Sequence, residues 1–170
     1  MFEYNKVVEK ALKDDEYLNI VKDILFNREV LRLKKYSHHA SVSRYEHSLN
    51  VSYLGYKLGK KLHVNAKELA RAGLLHDLFF YDLDEYEKKG RGYFNSHAYT
   101  HGKVALKNAR KIFSLTKREE EMIEAHMWPL TIVPPRYIET YIIGIVDKHS
   151  TISELFLSRK RENAMLSIRN

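Results

Sequence analysis

One adjacent pair and four isolated side chains carry the chemistry of this sequence. In Ala72-Gly73-Leu74-Leu75-His76-Asp77-Leu78-Phe79 an imidazole and a carboxylate stand side by side within an apolar run. Buried without partners, the neutral group alone would cost roughly 2 to 7 kcal/mol. A divalent cation removes that penalty, because both side chains are good ligands for one. His47, His101, His126 and Asp147 recur on, or at the ends of, helical stretches near the apolar face. Four imidazoles and two carboxylates thus converge from five segments, a set that points to one or two divalent metal ions. The chain has no Cys, so thiolate ligation and thiol nucleophiles are excluded. Imidazole-rich ligation without thiolate suits iron, manganese, nickel, cobalt or zinc.

The helical period shows how those groups can be delivered to one place. Val7, Leu12, Leu18, Val21, Ile24 and Leu25 predict a first amphipathic helix over residues 3–26. Residues 27–43 read as a basic, irregular connector. Val51, Leu54, Leu58 and Leu62 predict a helix over 44–62, and His47 lies one turn before Val51 on the same inward face. Asn65 is the expected N-cap of the next helix, which runs from about Ala66 into the His76-Asp77 pair. Its stripe is Leu69, Gly73 and His76, with Gly73 allowing another helix to come close. Residues 81–96 have no clean period and read as a loop or lid beside the site, with two glycines giving freedom. A helix from about Thr100 carries His101. Thr116 and Glu119 form a capping box for a helix that ends near His126, where Trp128-Pro129 stops it. An apolar helix from Arg136 carries Asp147, and a last helix is expected over about 151–166.

At 170 residues, 44% of them hydrophobic, with 3 Pro and 7 Gly, the chain fits one compact and mainly helical domain. The expected layout is an N-terminal helix and connector over 1–35, a core over 36–154 and a C-terminal helix over 155–170. No apolar run is long enough to cross a bilayer. The opening residues lack the basic start and apolar stretch of a signal peptide, so the expectation is a cytoplasmic protein with no membrane partner. The formal net charge of +7 favours anionic partners. A small phosphorylated substrate, nucleotides among them, ranks ahead of nucleic acid, because no basic cluster interleaves with aromatics.

The order His, then His-Asp, then Asp resembles the HD superfamily of metal-dependent phosphohydrolases over about Tyr36 to Glu154. The matching pieces are Arg44-Tyr45-Glu46-His47-Ser48-Leu49, Leu74-Leu75-His76-Asp77 and Ile145-Val146-Asp147-Lys148. Thr100-His101-Gly102-Lys103-Val104-Ala105 and Glu124-Ala125-His126-Met127-Trp128-Pro129 resemble members with a two-metal site. The resemblance implies an all-α, single-domain helical bundle of the HD type with the metal site in its core. It further implies that His47, His76, Asp77 and Asp147 hold one ion, and that His101 and His126 complete a second with Asp77 bridging. The implied reaction is hydrolysis of a phosphoester or phosphoanhydride by a metal-activated water, with Asp77 at the catalytic centre. Some HD relatives are instead di-iron oxygenases, and the myo-inositol oxygenases resemble this histidine and aspartate pattern. A non-catalytic module that binds nucleotide or nucleic acid is the third reading.

Four further residues are candidates around that set. Arg44, one turn before His47, and Lys148, beside Asp147, are placed to assist catalysis; Arg44 could also clamp a phosphate. His39 and Lys103 are candidate substrate contacts. His38, His63, His97 and His149 read as ordinary polar residues. The chain has no Gly-x-Ser-x-Gly elbow and no glycine-rich phosphate loop ending in Lys-Ser or Lys-Thr.

Overall fold

Asp14 divides what the periodicity predicts as one N-terminal helix. Its backbone is extended (φ −95°, ψ 95°) and its carboxylate accepts the Tyr17 amide, so it ends one helix and caps another. The computed structural model therefore shows α1 (Phe2–Ala11) and α2 (Asp15–Leu25). It describes the backbone of residues 2–39, 42–82, 86, 92, 94 and 96–168, and the side chains of 7–38, 42–82, 86, 92, 94, 96–156 and 159. Most of the expected loop or lid over 81–96 lies outside the described residues.

The connector is more ordered than its composition suggests. Asn27 caps a short α3 (Arg28–Leu31), a 3-10 turn follows over Arg32–Lys35, and β1 (Ser37–His39) pairs antiparallel with β2 (Val42–Ser43). That ribbon is the whole of the described strand structure, and the fold is all-α.

Ser43 then opens α4 (Arg44–Leu62) with a capping box, its own amide donating to the Glu46 carboxylate at 2.9 Å. Asn65 caps α5 (Ala66–Leu75) as expected. The two helices meet closely at Gly73, where a Cβ would stand 2.5 Å from the Ser52 Cα. Beside that contact the Tyr17 and Ser52 hydroxyls lie 2.7 Å apart, and Ser52 donates to the Ala70 carbonyl.

Helix α6 (His97–Ala109) starts three residues earlier than expected, because Ser96 already has the extended backbone of an N-cap. Thr116 and Glu119 form the expected capping box of α7 (Lys117–Ala125). Buried Glu119 also accepts from Arg71 Nε at 3.0 Å, and Arg71 reaches Asp23 at 2.9 Å, which ties α2, α5 and α7 together. The Trp128–Pro129 peptide is cis. The two helices expected after Arg136 are one, α8 (Ile138–Ile168). No proline, glycine or N-capping bond interrupts the chain between Lys148 and Thr151, so the helix simply continues.

The core is the space between α2, α4, α5 and α7, filled by Tyr17, Ile24, Leu49, Leu69, Leu74 and Met122 among others. Each such side chain, fully buried, contributes about 1.5 to 3 kcal/mol. Among the described residues, no helix is long and apolar enough to cross a membrane.

Candidate metal centre

All six side chains singled out as ligands meet at one end of this core. His47 comes from the first turn of α4, and His76 and His126 from the C-caps of α5 and α7. His101 comes from the second turn of α6 and Asp147 from the third turn of α8. None is more than 8% exposed. Asp147 Oδ1 lies 3.0 Å from His47 Nε2 and 3.6 Å from His76 Nε2. Asp77 Oδ2 lies 3.6 Å from His76 Nε2, and its Oδ1 lies 3.4 Å from His101 Nε2.

Backbone carbonyls set the direction of three of the rings. Nδ1–H of His76 donates to Gly73 O, that of His101 to His97 O and that of His126 to Ile123 O, each at 2.9 Å. A carbonyl only accepts, so the ring proton sits on Nδ1 and the Nε2 lone pair faces inward. His101 Nε2 and His126 Nε2 then face each other at 2.8 Å, lone pair to lone pair. His76 Nε2 and Asp77 Oδ1 are buried with no hydrogen-bond partner. Unpaired donors of electron density at such spacing are destabilising on their own and fit a cation between them. His47, His76 and Asp147, and likewise His76, Asp77 and His126, bring donor atoms within 4.8 Å of one another. The residues present therefore fit one or two divalent ions.

Above the centre opens a cavity of about 410 Å³. Asp77, His101 and Asp147 form its floor, and Phe79, Met127 and Ile152 form an apolar wall. Lys148 stands exposed at its rim, donating to Gly144 O at 3.2 Å and His126 O at 3.5 Å.

Two of the surrounding candidates are placed elsewhere. Arg44 is wholly buried, its guanidinium donating to the carbonyls of Phe79 (3.0 Å), Tyr81 (3.3 Å) and Ser37 (3.4 Å). With its Cζ 3.7 Å from the Phe79 ring centroid, it pins the ribbon and the chain after Asp77 rather than a phosphate. Lys103 is exposed and lines a separate cavity with Tyr99. His39 has its backbone in β1, and its side chain lies outside the described residues.

Three residues not counted among the candidates do reach the site. His38 stacks on His47 with ring centroids 3.6 Å apart. Glu154, two turns after Asp147 on the same face of α8, places one oxygen 2.9 Å from His47 Nδ1 and the other 3.1 Å from His38 Nδ1. His97 stacks on His101 at 4.4 Å and lines the cavity. The four-residue interval from His97 to His101 was the available signal for the last.

Burial alone would raise Asp77 and Asp147, yet the imidazoles around them outweigh it and hold both carboxyls far below the usual range. Burial, seconded by neighbouring imidazoles, lowers His38 to about 4 and His97 and His126 to about 3. His47 goes the other way, to about 10, because Asp147 and Glu154 overcome its burial.

The consequences for metal-free protein have opposite signs on the two sides of neutrality. Below the unfolded value of about 6.5, unfolded chains take up protons that folded His38, His97 and His126 refuse, so stability falls as pH drops toward 4. The stability that protonated His47 contributes is complete below about 6.5 and is lost as pH rises through about 10. Melting temperature in chelator should therefore decline on both sides of neutral pH. Saturating metal should abolish the alkaline decline, since a ligating histidine holds no proton to lose. Flat melting behaviour of the metal-free protein from pH 6.5 to 10 would contradict this.

Residues 44–160, more than half of the chain, match the HD domain family, and the chain belongs to it. That family consists largely of metal-dependent hydrolases. No curated protein and no solved structure matches the chain, so the substrate must be read from the chemistry of the site.

Proposed function

We propose that this protein is a metal-dependent phosphohydrolase, cleaving a phosphoester or phosphoanhydride of a small phosphorylated metabolite such as a nucleotide. The observation that carries this reading is the floor of the cavity, where inward-facing Nε2 atoms meet carboxylate oxygens without enough protons to pair them. His47, His76, Asp77 and Asp147 would hold one ion, and His101 and His126 a second shared through Asp77. Bound there, the metal supplies Lewis-acid polarisation of a phosphoryl oxygen and a water acidic enough to attack at neutral pH.

The chain's own residues supply the rest. The carbonyls of Gly73, His97 and Ile123 hold Nδ1 of three imidazoles, leaving Nε2 as the atom turned to a metal. Asp77 and Asp147 stay ionised well into acid, so both carboxylate donors are ready across the physiological range. Phe79, Met127 and Ile152 offer an apolar surface to the non-phosphate part of a substrate. Lys148 at the rim is placed to meet an anion there, and the net charge of +7 favours its approach.

The test is a phosphate-release screen over nucleotides and phosphorylated metabolites, with protein reloaded in turn with Mn²⁺, Fe²⁺, Co²⁺, Ni²⁺ and Zn²⁺. Release is expected with at least one metal and should vanish on chelation. Absence of release from every phosphorylated compound, together with oxygen uptake by the iron-loaded protein, would replace hydrolysis by oxygenase chemistry.

A further inference from the structure

One more imidazole reaches the centre from outside the helices. His38 enters from β1 and lines the cavity beside Asp77. We propose that His38 is a further protein ligand of the ion held by His47, His76, Asp77 and Asp147, and that Glu154 aims His38 and His47 together. This rests on the metal reading given under Proposed function.

Distance is the first argument. His38 Nε2 lies 3.7 Å from Asp77 Oδ2, and the same oxygen lies 3.6 Å from His76 Nε2. Two donors each about 2.1 Å from a common ion stand roughly 3 to 4.2 Å apart, depending on the angle between them. Both separations fall in that range. His38, His47 and Asp77 also bring donor atoms within 4.8 Å of one another.

Orientation is the second. A histidine ligand ordinarily gives its other ring nitrogen to a carboxylate or carbonyl, which fixes the ring and its tautomer. His76, His101 and His126 do so through backbone carbonyls. His38 and His47 do so through the two oxygens of one side chain, Glu154, which is 1% exposed. Five imidazoles thus share one arrangement, with Nδ1 held from outside and Nε2 turned toward the acids. With Nδ1 of each on Glu154, Nε2 of His38 faces Asp77 and Nε2 of His47 faces Asp147, while the two rings stack with 14° between planes. A side chain serving only as packing would not need that direction.

Coordination number is the third. Four ligands from His47, His76, Asp77 and Asp147 plus His38 make five, which leaves one position of an octahedral ion open for water, as a hydrolytic site requires.

The experiment compares wild type, His38→Ala, His38→Phe and Glu154→Gln, with His63→Asn as a control that removes an exposed imidazole at the end of α4. Metal-free protein is titrated with Co²⁺, and stoichiometry, competition affinity and the visible d–d spectrum are read. His38→Ala and His38→Phe should both weaken the tighter site by roughly 10- to 100-fold and change the spectrum. Phenylalanine keeps a ring against His47 yet offers no donor atom, so it separates ligation from packing. Glu154→Gln should weaken binding less, and His63→Asn not at all. Wild-type affinity and spectrum in His38→Phe would overturn the assignment while leaving the metal centre standing. A wild type that takes up no Co²⁺ would overturn both.

Discussion

Asp77→Ala should strip the centre of metal and stop hydrolysis while the helices persist. Asp77 reaches both halves of the donor set, with Oδ2 3.6 Å from His76 Nε2 and Oδ1 3.4 Å from His101 Nε2. It is thus the carboxylate that would be common to the two ions. Without it His76 keeps Asp147 3.6 Å away, and His101 loses the carboxylate oxygen 3.4 Å from its Nε2. The loss of rate should be at least roughly a thousandfold, equivalent to about 4 kcal/mol of transition-state stabilisation. Helix content should survive, because Asp77 lies just past the end of α5 and is not one of the apolar residues that fill the core. Metal analysis and circular dichroism on the same preparation check both halves of the expectation. A variant with full metal-dependent activity would sink the metal reading.

What could be read from the sequence was what depends on short separations. Asn65 and the Thr116–Glu119 box act on amides three residues away, so composition and spacing reveal them. The six candidate side chains were legible for a related reason, since a polar group on an apolar stripe is conspicuous wherever its partner lies. Asp14 was harder, because an acid inside an amphipathic pattern reads equally as a solvated position or as a cap. Only the observed Tyr17 amide bond decides between them.

Long-range pairing hid the rest. Glu154 meets His47 and His38 across 107 and 116 residues, and no local pattern marks such a meeting. Arg44 has the residue type that clamps phosphate, but three carbonyls from distant segments claim its guanidinium. Lys103 is different, because its placement was within reach of the helical period. Two residues after His101 it is turned by about 200° around the axis, onto the opposite side of α6 and into another cavity.

The double variant His101→Ala, His126→Ala should keep one ion per chain and lose most hydrolysis. These two histidines stand 25 residues apart on separate helices, and their Nε2 atoms approach to 2.8 Å. Each ring is held by a carbonyl of its own helix, so removing both leaves the bonds of His47, His76 and Asp147 in place. If all six candidates bound a single ion, no position would remain for water, and a hydrolytic ion needs one. Two ions would resolve that conflict, the second depending on His101 and His126. The variant should therefore show half the wild-type stoichiometry at saturating metal. Its rate should fall roughly a hundredfold, about 2.7 kcal/mol, because one ion would be left to polarise the substrate. A wild type that binds one equivalent at saturation, or a double variant that still binds two, would rule out the binuclear centre.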